Sequence, residues 1–122
     1  FEFLPHDVNL QRCYRYCYVP INGSSQSVGN FNMYSSTYLI GHIFFPITMR
    51  ANPSFTSSNN SSDFTFHRNN GNDSFDTFNV ALELHPNGGN IRNNNQVAGT
   101  AGHAGFVVSN NSTSKLTFTA EL

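Results

Sequence analysis

Residues 78–84 have the sequence Phe-Asn-Val-Ala-Leu-Glu-Leu, in which the apolar side chains at 78, 80, 82 and 84 alternate with the rest. Successive side chains of a β-strand point to opposite faces of a sheet, so this alternation predicts a half-buried strand. The turn residues Pro86 to Gly89 follow directly and end the strand.

The same alternation recurs on both sides of this stretch. Upstream, Tyr14, Tyr16 and Tyr18 alternate with other side chains over residues 12–19, which predicts a strand from residue 12, and the Asn-Gly pair at 22–23 is a strong turn signal. No segment repeats apolar residues at sustained helical spacing. About seven or eight short strands separated by turns predict an all-β chain folded as an antiparallel, jelly-roll-like β-sandwich.

We therefore predict a lead-in segment at residues 1–11 and a single β-sandwich domain at residues 12–122, a length typical of one domain. The predicted core, shared by the two sheets, takes the apolar positions of three alternating segments. These positions are Phe78, Val80, Leu82, Leu84, Phe106, Val108, Leu116 and Phe118.

The chain carries unusually few charges. Asp, Glu, Lys and Arg make up 11% of its residues, against about a quarter in an ordinary soluble domain. Six basic and seven acidic residues give a net charge of −1, so we expect no basic face and no nucleic-acid binding. Near-zero net charge also removes repulsion between copies, which favours self-association. No apolar run approaches the about 18 residues of a membrane span, and we expect no membrane insertion.

The two cysteines are Cys13 and Cys17. On a strand, four residues span about 13 Å, whereas a disulfide needs Cα atoms roughly 4.4–6.8 Å apart. We therefore expect no bond between them. Two small buried hydrophobic side chains are the favoured interpretation, and an interchain link or a metal site are the alternatives.

Residues that could carry catalysis are scattered. The histidines are His6, His42, His67, His85 and His103. No two of them have metal-ligand spacing, and Glu83 with His85 is the nearest approach to a two-ligand element. The carboxylates Asp63, Asp73 and Asp76 lie near turns, where backbone hydrogen bonding explains them. We expect no metal, no cofactor and no catalytic residue, and predict that the protein is not an enzyme.

Three stretches of the chain together resemble a known domain. The chain opens with Phe-Glu-Phe and then Leu-Gln-Arg-Cys-Tyr-Arg-Tyr at 10–16, has Phe-Pro-Ile-Thr-Met-Arg-Ala-Asn-Pro at 45–53, and ends Phe-Thr-Ala-Glu-Leu. This order is similar to that of a C-terminal β-sandwich domain of bacteriophage tail-fibre and other virion-surface proteins. In that domain the cysteine of the opening motif precedes the Gln-Arg pair, whereas here Gln11 and Arg12 precede Cys13. The resemblance places Met49 and Arg50 on a central strand, Pro53 at its exit and Leu122 at the native C-terminus.

The resemblance implies a module on the virion surface that attaches to the host surface or to its glycans. The module would assemble as a homotrimer and would also contact other virion proteins. The alternative is a capsid decoration or cement protein that stabilises a viral shell. A cellular lectin-like domain is a further alternative.

Candidate contact residues follow from this hypothesis. Tyr14, Tyr16 and Tyr18 are candidates for the trimer interface, or for packing inside the domain itself. Host-surface carbohydrate would be bound by turn tips, because strands are committed to the core and the interface. The candidate glycan-binding residues are Asn69, Asn72 and Asp73 in one loop and Asn93 and Asn94 in another.

Overall fold

The computed structural model describes residues 6–69 and 71–120. It contains one helix, α1, at His6–Tyr14. The strands are β1 Cys17–Asn22, β2 Ser27–Ser35, β3 Tyr38–Phe44, β4 Ser54–Ser57, β5 Phe64–Arg68, β6 Gly71–Phe75, β7 Val80–His85, β8 Gly88–Asn93, β9 Ala104–Ser109 and β10 Lys115–Thr119. All strand pairs are antiparallel and form two sheets that pack together, so the predicted all-β sandwich is confirmed.

The strands pair in a nested order from the chain ends inward. β1 pairs with β10, β2 with β9 and β3 with β8. The three-stranded sheet has the order β1-β10-β4, and the seven-stranded sheet has the order β6-β5-β9-β2-β3-β8-β7. This nesting is the pairing of a jelly roll, in which a long folded-over hairpin distributes its strands between two sheets.

The core fills the space between the sheets and is rich in phenylalanine. Phe64, Phe66 and Phe118 are completely buried, and Phe31 packs on Phe78 with ring centroids 5.5 Å apart. The Phe31 ring lies directly against Gly41 of the neighbouring strand, where a Cβ atom would overlap it. Burial of aromatic side chains of this size contributes strongly to the stability of a fold.

The predicted core is correct at Phe78, Leu116 and Phe118, which are buried. Val80, Leu84 and Val108 are half-buried, whereas the expectation for Leu82 and Phe106 is wrong, since these side chains are 44% and 47% exposed.

Each error has a local cause. In β7, Glu83 adopts a φ of 55° within a register shift, so Ala81 and Leu84 pack against the core instead of Leu82. In β9, Val107 is completely buried and its neighbour Phe106 points outward.

The N-terminal region differs from the predicted strand. Residues 12–14 belong to α1, and β1 begins only at Cys17. The three tyrosines therefore lie on a helix, a turn and a strand, and do not share one strand face. Arg12 in the last helical turn is favourably placed beside the carbonyl end of the helix dipole. Cys13 and Cys17 are free and exposed, so the expectation of two buried side chains is wrong.

The middle stretch 45–53 is likewise irregular. Met49 and Arg50 lie in the connection between β3 and β4, not on a central strand, although Met49 is buried. Pro53 is buried immediately before β4. Leu122 and the opening Phe-Glu-Phe lie outside the described residues.

Candidate functional site

The β5–β6 hairpin carries three of the predicted glycan-binding residues. Asn69 lies in the turn and Asn72 on β6, and both are exposed. The carboxylate of Asp73 accepts a hydrogen bond from Nε of Arg68 at 2.7 Å, and the same guanidinium donates to the carbonyl of Ala98 at 3.0 Å. Asp73 is therefore committed to a contact within the fold, while Asn69 and Asn72 keep accessible side chains.

The other two predicted residues have structural roles. Asn93 is completely buried; its amide donates to the carbonyl of Thr77, and its side-chain oxygen accepts the backbone N–H of Gln96. A side chain so placed cannot reach a glycan, and the expectation for Asn93 is wrong. Asn94 is exposed, but its side-chain oxygen accepts a hydrogen bond from Asn79 at 2.7 Å.

The three predicted interface tyrosines lie in different environments. Tyr18 packs edge-on against Phe45, which in turn contacts Phe118 of the core, and Tyr14 packs against Tyr18 at 5.7 Å. Burial, with a smaller contribution from Tyr14, raises the pKa of Tyr18 above its ordinary value. Only Tyr16 is largely exposed, at 46%, and the Arg50 guanidinium lies over its ring at 5.7 Å.

The three stretches that carry the sequence resemblance meet around Tyr16 and Arg50. The backbone N–H of Arg50 donates to the carbonyl of Arg15, and the N–H of Ala120 donates to that of Tyr16. The Arg50 guanidinium completes the connection by donating to the carbonyl of Ala120 at 3.2 Å. Residues that are far apart in sequence thus form one structural cluster, held mainly by main-chain hydrogen bonds.

The seven-stranded sheet presents a second, exposed face that the sequence did not single out. We define the outer face as the side chains of this sheet that point away from the core. Its middle row runs across seven strands. Paired or adjacent residues in this row are Leu82, Asn90, His42, Asn30, Phe106, His67 and Asn72.

Aromatic rings stand out on the outer face. Phe44 is 75% exposed and lies beside His42, with ring centroids 4.4 Å apart. Phe106 stacks nearly parallel on His67 at 4.9 Å, and Tyr34 is 72% exposed. Large exposed aromatic side chains collected on one sheet face are typical of an interaction surface.

The outer face has no net charge. Among the described residues its only charged side chains are Arg92 and Glu83, whose N and O atoms are 3.5 Å apart. Glu83 also accepts a hydrogen bond from Asn90, and Arg92 lies over the ring of Tyr38. The two charges therefore compensate each other, and the face offers no free cation or anion to a ligand.

A cleft of about 460 Å³ opens beside this face, within the range of small-ligand sites. It is lined by Tyr18 and Pro20 from the edge strand β1, by Val28, Gly29 and Asn30 from β2, and by His42, Ile43 and Phe44 from β3. The alternation of residues 40–44 would have assigned His42 and Phe44 to one face, but only the fold brings Tyr18 and Asn30 to them.

The histidine, cysteine and carboxylate side chains of residues 6–69 and 71–120 are dispersed. No group of three or more His, Cys, Asp or Glu side chains there could hold a metal ion. The ring centroids of His42 and His85 are 6.1 Å apart. Nδ1 of His85 already accepts a hydrogen bond from the backbone N–H of Asn87. In the same ranges, no helix is long and apolar enough to span a membrane.

Comparison of the chain with known protein families, curated proteins and solved structures finds no match.

Proposed function

We propose that this protein is a virion-surface module of the tail-fibre type, which attaches to host-surface glycans and assembles as a homotrimer. The observation that carries the proposal is the outer face, where exposed aromatic rings alternate with amide side chains and all charge is compensated. Sugars present hydroxyl groups that amides can bind and C–H groups that aromatic rings can contact. A surface with such properties suits recognition.

The resemblance to phage proteins adds support of a different kind. Its three stretches are assembled into one cluster around Arg50. The contacts among the three stretches support the proposal that they form one structural element, as the resemblance implies. The proposal accordingly locates the protein on the surface of an extracellular particle, with no enzymatic activity.

Attachment can be tested with intact cells. Fluorescently labelled protein is titrated onto a panel of Gram-negative and Gram-positive bacteria, and we expect saturable binding to at least one. Replacing the exposed outer-face residue Phe106 with Ala should weaken it, whereas Thr117→Ala, on the three-stranded sheet, should not. Absence of saturable binding across a broad panel, or equal loss in both variants, would overturn the attachment function.

A capsid decoration protein is the second candidate, and the exposure of Tyr34 and Phe44 favours it. Two largely exposed aromatic side chains on one sheet face provide apolar surface for docking onto a shell. In that case the purified protein would bind emptied capsids and raise their thermal stability, and it would not bind cells.

A further inference from the structure

We infer that the cleft between β1 and the outer face is the primary glycan subsite, and that it takes an uncharged sugar ring. The inference deepens the attachment function and rests on it. It moves the binding site from the turn tips, where the sequence placed it, to Asn30, His42 and Phe44 on two adjacent strands.

Phe44 supplies the stacking platform. Its ring is 75% exposed at the cleft although its strand neighbours Ile43 and Gly41 are buried, so the ring is displayed on a rigid strand. The face of an aromatic ring carries partial negative charge and attracts the C–H groups of a sugar. The His42 ring, 4.4 Å away and tilted by 58°, extends this apolar wall.

Polar groups in the cleft match a ligand that both donates and accepts hydrogen bonds. Asn30 is exposed, and its amide has no hydrogen-bond partner among the described residues. Tyr18 also borders the cleft, and a phenol hydroxyl can donate as well as accept. Sugar hydroxyls have the same dual character, which is what a site with neutral amide and phenol groups selects.

Charge decides between neutral and acidic sugars. No Lys or Arg lines the cleft, and Arg92, the only cation described on the outer face, is paired with Glu83. A carboxylate or sulfate brought here would lose hydration without gaining an ion pair, which is unfavourable. The structure therefore assigns the cleft to neutral hexose-containing glycans.

The test uses the full-length protein and purified oligosaccharides followed by saturation-transfer NMR and calorimetry. Dextran, mannan and galactan fragments serve as neutral probes, and polysialic acid and hyaluronan fragments as acidic probes. We expect binding to at least one neutral probe and to neither acidic one. Phe44→Ala and Asn30→Ala should each weaken that binding about tenfold or more.

Matched variants separate binding from folding. Lys115→Ala removes an exposed side chain from β10 on the three-stranded sheet, away from the outer face and its cleft, and its affinity should equal the parent's. Phe44→Tyr keeps the ring and should restore binding. Preference for the acidic probes, or neutral binding that survives Phe44→Ala, would refute the subsite. A change of oligomeric mass in Phe44→Ala without any glycan binding would refute it too, because the face would then be an interface between copies.

These outcomes are distinguishable from failure of the attachment function. Cell binding that depends on Phe106 but not on Phe44 would leave attachment standing and dismiss the cleft. Neutral-glycan binding that depends on Phe44, without binding to any cell, would support the cleft and refute the attachment function.

Discussion

Asp63 is a charged residue that the fold buries completely. One carboxylate oxygen accepts hydrogen bonds from the backbone and side chain of Asn60, and the other accepts from Asn111, Thr113 and Ser114. Burial alone would raise the pKa of Asp63, but hydrogen bonds from Asn111, Ser58 and Asn60 outweigh it and hold the pKa below its ordinary value. The carboxylate thereby ties the turn before β5 to the turn before β10.

The stability contributed by Asp63 depends on pH. Because its folded-state pKa is lowered, the contribution is complete above the unfolded-state value of about 3.9 and is lost as pH falls through the folded value. We expect Asp63→Asn to reduce the free energy of unfolding by about 1.5–3 kcal/mol at pH 7. The difference from the parent should shrink below about pH 4.

Urea unfolding of parent and variant from pH 7 to pH 3 measures this difference. Glu83→Gln is the control, since that carboxylate is 66% exposed and should show little effect. An Asp63→Asn penalty that is constant over the whole pH range would show that the charge of the carboxylate is not what stabilises the two turns.

At the scale of elements, periodicity predicted strands well wherever one face of a strand packs on the core. β10 and most of β3 follow the alternation of their sequences, and Phe118 and Leu116 are buried as expected. The helix α1 could not be found in the same way, because residues 6–11 show no clear periodicity and the tyrosines from Tyr14 onward favour a strand locally. Tyr14 and Tyr18 meet by ring contact, although one ends the helix and the other lies on β1.

The phase of a strand, meaning which of its alternate residues face the core, was harder to predict than the strand itself. Val107 and Val108 are both apolar, so either phase of β9 fits the sequence. The fold chooses the phase with Gly105 inward, because a Cβ atom there would overlap the carbonyl of His67 on β5. A phase error of one residue exchanges the two faces of a strand. The prediction therefore placed Phe106 in the core, although its side chain lies on the outer face.

The phase of β9 leads to a stability prediction. Val107→Ala removes two methyl groups from a completely buried site and should cost about 1.5–3 kcal/mol. Phe106→Ala removes more atoms but from a ring that is 47% exposed, and it should cost less than Val107→Ala despite the larger truncation. Thermal and urea unfolding of both variants compare the costs; the opposite order would mean that Phe106 faces the core.

The candidate site was only partly accessible to sequence reasoning for a related reason. Turn tips were favoured because loops often carry function. Asn69 is exposed in the turn between β5 and β6, whereas Asn72 is exposed on β6 itself. The cleft instead combines Tyr18, Asn30 and Phe44 from three strands. Their proximity follows from β1 lying at the edge of one sheet beside β2 and β3 of the other, and no local pattern reports that arrangement.

At the scale of the whole molecule, the proposed trimer gives a direct prediction. Light scattering at micromolar concentration should give about three times the chain mass of 13.6 kDa. Near-zero net charge permits close approach of copies. Of the three predicted interface tyrosines, Tyr16 is the most exposed, so Tyr16→Ala should shift the mass towards that of a monomer.

Lys115→Ala, at an exposed position on β10, is the control and should remain trimeric. A monomer mass for the parent protein would rule out the trimer. A trimer that Tyr16→Ala leaves intact would place its interface elsewhere, on the outer face or another surface.

The nested pairing of strands has a kinetic consequence. Cys17 of β1 pairs with Thr119 of β10, 102 positions later in the chain, and Asn32 of β2 pairs with Ala104 of β9, 72 positions later. The entropy of closing such loops is lost before any of these contacts form, which makes folding slow, on the scale of milliseconds to seconds. During synthesis, β1 therefore remains without its partner strand until β10 has emerged from the ribosome.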